Sequence, residues 1–126
     1  MKFVKKASLV LMIIGYLIAG ANHFRSPGTY IPLIPEYLPL PELLNTIAGF
    51  FELLFGSMLM FRPTRRIAAW GIFTLLVLFI PAHVDMILKA PFKIEKLQVT
   101  PFIAWLRLLI FQPLLMLWAW WHTKED

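Results

Sequence analysis

The sequence contains no cysteine. Disulfide bonds, thiolate metal sites and dithiol redox chemistry are therefore excluded for this chain. Charged residues are also scarce: they make up 15% of the 126 residues, whereas hydrophobic residues make up 60%. A soluble domain of this size needs more polar surface than such a composition provides. The length suits one domain, residues 1–126, and the composition predicts that its main solvent is the lipid bilayer.

Long apolar runs fill most of the chain. Four of them approach the roughly 20 residues that a helix needs to cross a hydrocarbon core: about 7–24, 43–61, 67–88 and 102–121. We predict helices, because a spanning segment must satisfy its own backbone hydrogen bonds and no run alternates with a period of two residues. The predicted fold class is all-α, a polytopic membrane protein with an antiparallel four-helix transmembrane bundle.

The first apolar run has an alternative interpretation. Its basic start, MKFVKK, and the small residues Ala19-Gly20-Ala21 resemble a cleavable signal peptide. The polar residues Asn22 and His23 follow immediately, as is typical of an interfacial helix end. We therefore expect this segment to be retained as the first span.

The net charge of +5 comes from basic residues that lie between the apolar runs. This placement suits lipid headgroups and does not suit nucleic acid. One side of the four predicted spans holds seven of the twelve basic residues: Lys2, Lys5, Lys6, Arg62, Arg65, Arg66 and Lys124. The other side holds Arg25, Lys89, Lys93, Lys96 and Arg107. Because positive residues favour the inside, both termini are predicted to be cytoplasmic, in the cell (inner) membrane.

Two outer loops connect the predicted spans. Residues 26–42, SPGTYIPLIPEYLPLPE, hold five of the ten prolines, which block regular helix and favour extended backbone. The isoleucines and leucines of this segment are too apolar for a solvated linker. We predict a proline-rich interfacial loop, ordered as a cap over the mouth of the bundle; the alternative is a poorly ordered loop at the headgroups. The second outer loop, 89–101, is basic and is predicted to be solvated.

Glu52 is the unusual residue of the second run, which contains no other charge. A carboxylate in the middle of a span costs about 2.5–3.5 kcal/mol, so it should face the bundle and be paired or protonated. Helical spacing places Glu52 on one stripe with Asn45, Gly49 and Gly56. The predicted partner is Arg107, whose planar guanidinium suits a carboxylate.

Polar side chains from all four predicted spans converge on the outer half of the bundle. The candidate ligand-binding residues are His23, Glu52, His83, Asp85, Arg107 and Gln112. A purely structural ion pair is the alternative for Glu52 and Arg107. The alternative for His23 and Asp85 is a solvated helix end, and for Gln112 it is an interhelical hydrogen bond. The histidines and carboxylates are too scattered to predict a metal site, and no catalytic residue is predicted.

The residues also resemble those of a known family. The succession AGANHF, PGTYIPLIPEYLP, GFFELLFGSMLMFRPTRRIAAWG, FIPAHVDM and QPLLMLWAW is similar to the DoxX-like family of small four-helix membrane proteins. The similarity runs from Ala19 to Trp120. The resemblance implies a membrane redox subunit, because the namesake is associated with a complex that passes electrons from thiosulfate to quinone. Other relatives resemble accessory or assembly factors. Relatives often carry Asn two positions after Ala82, where this chain has Val84, so no family role is carried over to Asp85.

Two functions fit these residues. In the first, the polar pocket binds a quinone or another small amphiphile, whose carbonyl groups a carboxylate, a guanidinium and an imidazole can hydrogen-bond. The chain has no cofactor motif of its own, so electrons would come from a partner redox subunit. In the second, the chain is a non-catalytic accessory or assembly protein, and the cluster fixes helix register. A small transporter is a third option, which would require a homo-oligomer because four short helices leave little room for alternating access.

Overall fold

The computed structural model describes residues 2–94 and 97–124, so Lys96, one of the outer-loop lysines, lies outside the described residues. The described chain is mostly helical, and the predicted all-α class is confirmed apart from one short hairpin. Its helices are α1 (Lys2–Arg25), α2 (Pro27–Tyr30), α3 (Pro41–Met58), α4 (Arg62–Leu78), α5 (Ile80–Lys89), α6 (Pro101–Leu106) and α7 (Gln112–Trp121).

Three helical stretches among the described residues are long and apolar enough to cross a membrane. They cover the first, third and fourth predicted spans: Lys2–Arg25, Arg62–Lys89 and Pro101–Trp121. The second predicted span corresponds to α3, which has 18 residues and carries Glu42, Asn45 and Glu52. These polar residues lower its hydropathy, so a role for α3 as a fourth span stays a prediction.

Prolines interrupt two of the three long stretches. The helix is interrupted at Phe79, between α4 and α5. Pro81 follows in the first turn of α5. Pro81 has no amide hydrogen to donate to the carbonyl of Val77, which instead accepts a backbone N–H at the C-cap of α4. In the last stretch a π-helical turn over Arg107–Phe111 precedes Pro113. Turns of this kind often mark functional positions in helices.

Small residues bring α1 and α3 into close contact. The predicted inward stripe is confirmed, since the buried residues of α3 are Asn45, Gly49, Glu52 and Gly56. A Cβ atom added to Gly20 of α1 would lie 2.8 Å from the backbone nitrogen of Leu53. A Cβ atom added to Gly49 would lie 2.7 Å from the Cβ atom of His23. The glycines therefore set the distance between the two helices.

An apolar core joins the start, the middle and the end of the chain. Its buried side chains are Met12, Leu59, Ala68, Ala69, Ile72, Leu76 and Ala119. These residues belong to α1, α4, α7 and the turn after α3. The core therefore holds the last helix against the first half of the chain.

The first part of the proline-rich segment forms short helices, whereas 34–40 consists of bends and turns and begins with an extended Ile34. It forms α2 and a single 3-10 turn, Ile31–Leu33, with Pro27 and Pro32 in their first turns. Proline is tolerated there because the amide hydrogens of a first turn have no acceptor within the helix. Leu33 packs against a second apolar cluster, so the segment is an ordered part of the fold.

The second outer loop forms a hairpin and is solvated only in part: Lys93 and Gln98 are exposed, as predicted, whereas Val99 is buried. Its strands β1 (Phe92–Ile94) and β2 (Leu97–Val99) pair as an antiparallel hairpin. Val99 is buried against Met86 and Ala104, which anchors the hairpin to α5 and α6. Apolar residues alternate with polar ones in this stretch, and the lysines among them made the segment look like a solvated loop in the sequence.

Candidate functional site

The stripe on α3 meets α1 at a histidine–glutamate pair. Nε2 of His23 lies 3.0 Å from Oε2 of Glu52, and both side chains are more than nine-tenths buried. Oε2 of Glu52 has no well-formed hydrogen bond among the described residues, so an N–H on Nε2 of His23 would not point directly at it. On the other side of the ring, Nδ1 of His23 lies 2.7 Å from Oδ1 of Asn45. The amide nitrogen of Asn45 donates to the backbone carbonyl of His23 at 2.9 Å.

These contacts determine where protons can lie. A backbone carbonyl only accepts, so Asn45 turns its NH₂ group to the carbonyl and its Oδ1 to the imidazole. Nδ1 of His23 therefore donates, and Nε2 faces Glu52. A bare Nε2 beside a carboxylate would put two acceptors 3.0 Å apart, so one further proton sits on the imidazole or on the carboxyl. In either state His23 and Glu52 together carry no net charge.

The proline-rich cap covers this pair at its histidine end. The ring of Tyr30 stacks on His23 with the ring centroids 3.9 Å apart. Nδ2 of Asn22 donates to the Tyr30 hydroxyl at 2.7 Å, which holds the ring in place. His23 is only 7% exposed, so the solvated helix end that was an alternative for it is wrong.

Arg107 contacts Gln112 and not Glu52. Nη1 of Arg107 donates to Oε1 of Gln112 at 2.7 Å. Nε2 of Gln112 donates in turn to the backbone carbonyl of Leu76 in α4, which confirms the interhelical hydrogen bond predicted for Gln112. We predict from the sequence that Arg107 reaches Glu52 either directly or through one water; the direct pairing is wrong, and the pairing through a water stays a prediction. In the π-helical turn the backbone N–H of Gln112 donates to the backbone carbonyl of Arg107. This spacing of five residues puts the two side chains on one face of the helix.

Glu52 and Arg107 nevertheless line one cavity, with a volume of about 280 Å³. Tyr16 and Trp118 supply the other side chains with polar atoms in its wall. The rest of the lining is apolar or small: Met12, Gly15, Ala19, Leu75, Leu76, Phe79 and Leu115. Nε1 of Trp118 donates to Oγ of Ser8 at 2.6 Å, which fixes the indole at the wall. The arrangement offers a carboxyl, a phenol and a guanidinium to one apolar chamber.

His83 and Asp85 do not line this cavity. Asp85 pairs with Lys89 one turn along α5, where Nζ and Oδ2 are 2.8 Å apart. His83 is half-buried, and its Nδ1 is buried without a hydrogen-bond partner in the described part of the chain. The structure therefore does not join these two residues to Glu52.

The six predicted site residues thus separate into groups. His23 and Glu52 form one contact between helices, and Arg107 and Gln112 form another. Tyr16 was not among the predicted site residues, although it precedes His23 by seven residues, which is two helical turns on the same face. Across residues 2–94 and 97–124, no three histidine, aspartate or glutamate side chains come close enough together to hold a metal ion.

The chain was compared with known families, curated proteins and solved structures. The model of the family described as Domain of unknown function (DUF8561) matches residues 12–123. No curated protein and no solved structure matches the chain. The matched range contains the His23–Glu52 pair, the Arg107–Gln112 pair and every residue that lines the cavity between them.

Proposed function

The chain belongs to the DUF8561 family, and we propose that it is a four-helix integral membrane protein whose cavity binds a small amphiphile of the quinone class. The single observation that carries the proposal is the position of Glu52. Its carboxyl, carried by α3, lines an otherwise mainly apolar cavity, and the other lining residues lie on the three stretches that are long and apolar enough to cross a membrane. An ionisable group in such a place is functional by default, because burying it costs free energy.

In this proposal α3 is the fourth span, although it is not among the three stretches that are long and apolar enough to cross a membrane. Its polar residues face α1: Asn45 and Glu52 are buried and contact His23. Because His23 and Glu52 carry no net charge together, the cost of placing the carboxyl within the bilayer is reduced. The exposed face of α3 includes Leu43, Ile47 and Phe50, which are suited to lipid.

The cavity suits a small ring with hydrogen-bonding oxygens. Its volume of about 280 Å³ is near the lower end of small-molecule sites, which is about 300 Å³. Tyr16 and Arg107 can donate hydrogen bonds to a carbonyl oxygen, and the apolar lining can contact the ring. The proton shared by Glu52 and His23 lies at the edge of the cavity, where it could be passed to a bound oxygen.

A bound quinone would supply the redox chemistry, and the chain would bind it and hold a proton. Electrons would come from a partner redox subunit, which agrees with the resemblance to DoxX-like proteins. We place both termini on the cytoplasmic side of the cell membrane, as the distribution of lysine and arginine favours.

Thermal unfolding of the detergent-solubilised protein tests the proposal. A short-chain quinone should raise the melting temperature, because a ligand that binds only the folded state stabilises it. Glu52→Gln should reduce this rise, since it retains the shape of the side chain and removes the titratable proton. Glu42→Gln is the matched control, because Glu42 is an exposed residue of the same helix.

An accessory function is the second candidate, and one observation favours it. Both charged side chains of the cavity already have partners within the chain, Glu52 with His23 and Arg107 with Gln112. Contacts of this kind could serve only to fix the register of the helices. If no quinone shifts the melting temperature, the accessory function replaces the ligand-binding one.

A further inference from the structure

A second cavity lies at the end of the molecule where the start of α1 approaches the end of the chain. Its volume is about 450 Å³, and it shares no lining residue with the Glu52 cavity. Three separate parts of the chain supply the seven lysines and arginines that line it: Lys2, Lys5, Lys6, Arg62, Arg65, Arg66 and Lys124. The cavity is therefore strongly cationic.

Hydrogen bonds within the chain hold the walls of this cavity in place. Nζ of Lys5 donates to the backbone carbonyl of Lys124 at 2.6 Å, which joins the start of α1 to the end of the described chain. Nε of Arg65 donates to the backbone carbonyl of Leu59 at 2.8 Å, which fixes the start of α4. Around these anchored residues, the exposed cationic side chains are Lys2, Lys6, Arg62, Arg66 and Lys124.

Helix direction adds to the positive potential of the cavity. Both α1 and α4 begin there, and neither has an acidic residue in its first turn. The free amide hydrogens of a helix start attract anions, and acidic residues normally take that position. The described carboxylates lie elsewhere, and none of them lines the cavity: Glu36, Glu42, Glu52 and Asp85.

We propose that this cavity binds a phosphate group, supplied by the headgroup of an anionic phospholipid. The 24 residues of α1 are about 36 Å long, which exceeds the hydrocarbon core of about 30 Å, so a helix end reaches the headgroups. Leu9 and Met60 also line the cavity, and they provide apolar contacts for the glycerol and the first acyl carbons. Cationic clusters beside a membrane attract anionic lipids in this way. The site is independent of the proposed quinone cavity.

Native mass spectrometry of the full chain in detergent tests the site. Phosphatidylglycerol and phosphatidylcholine with the same acyl chains are added in equal amounts, and the retained lipid is counted. We expect preferential retention of phosphatidylglycerol.

The double variant Arg62→Gln/Arg66→Gln should lower the affinity for phosphatidylglycerol about 30-fold, the effect expected for two surface cations. Lys93→Gln is the matched control, since Lys93 is an exposed cation of the hairpin, and it should leave the affinity unchanged. Melting temperatures without lipid establish that each variant is folded.

Two results would overturn the proposal. Equal retention of the two lipids would remove the preference for an anionic headgroup. Full retention of phosphatidylglycerol by the folded double variant would place its binding elsewhere. Inorganic phosphate distinguishes the two sources of the bound group. If it stabilises the wild type but not the double variant, and no lipid preference is found, the cavity binds soluble phosphate and not a lipid headgroup.

Discussion

The imidazole of His23 and the carboxyl of Glu52 lie 3.0 Å apart across the contact between α1 and α3. Asn45 fixes the other ring nitrogen as a donor, so the pair shares one proton and carries no net charge. A glutamate is tolerated within this apolar helix for that reason. The same pair lies beside the 280 Å³ cavity, because Glu52 also lines its wall.

The first prediction concerns the coupling of His23 and Glu52. We expect Glu52→Met and His23→Phe each to lower the free energy of unfolding by about 3 kcal/mol, because each leaves a buried polar partner unpaired. The double variant should cost less than the sum of the two single variants, by about 1–2 kcal/mol. A double-mutant cycle measured by reversible unfolding in detergent micelles gives this coupling energy.

Glu42→Met provides the control for that cycle. Glu42 is exposed at the start of α3, and its substitution should change the free energy of unfolding by at most about 0.5 kcal/mol. Strictly additive losses in the cycle would show that the two side chains do not interact.

Helical periodicity was sufficient to predict one face of the site. The stripe of Asn45, Gly49 and Glu52 was predicted from spacing alone, because the residues of one helix have a fixed angular relation. The interhelical role of Gln112 also followed, since a buried amide in an apolar helix needs a partner.

Spacing could not predict which helix supplies each partner. The sequence predicts Arg107 as the partner of Glu52 because a guanidinium suits a carboxylate, whereas the π-helical turn places Arg107 beside Gln112. His23 is the partner of Glu52 because Gly20 and Gly49 let α1 approach α3 closely, and that distance depends on packing. The hairpin that ends at Val99 was missed because its strands are only three residues long.

The second prediction tests the close approach of α1 and α3. A Cβ atom on Gly20 would lie 2.8 Å from both the backbone nitrogen and Cγ of Leu53, so Gly20→Ala should force the helices apart. We expect a loss of about 1–3 kcal/mol in the free energy of unfolding.

Gly15→Ala is the matched control, because Gly15 lies on the same helix and a Cβ atom added to it would have nothing within 4 Å. It should be neutral or stabilising by up to about 1 kcal/mol. Equal losses for both variants would argue against the glycine contact.

The third prediction concerns the link between α4 and α7. Gln112→Leu removes the hydrogen bond to the Leu76 carbonyl and also the acceptor of Arg107. We expect a loss of about 2–3 kcal/mol, since the half-buried guanidinium of Arg107 is left without this acceptor. Gln98→Leu is the control, because Gln98 is exposed in β2 and its amide should contribute little. Unfolding free energies that are the same for the two variants would exclude a structural role for the Gln112 amide.

The last prediction is the orientation of the chain in the membrane. The chain has no cysteine, so a single introduced cysteine is the only position of the chain that a thiol reagent can label. Lys93 in the hairpin and Lys124 near the C-terminus are both exposed, and four spans would put them on opposite sides. In intact cells an impermeant thiol reagent should label Lys93→Cys, and it should label Lys124→Cys only after the membrane is opened. The seven cations around the 450 Å³ cavity would then face the cytoplasm, as the preference of positive residues for the inside requires. Labelling of Lys124→Cys alone would reverse the orientation, and labelling of both in intact cells would mean that an even number of spans separates the two positions.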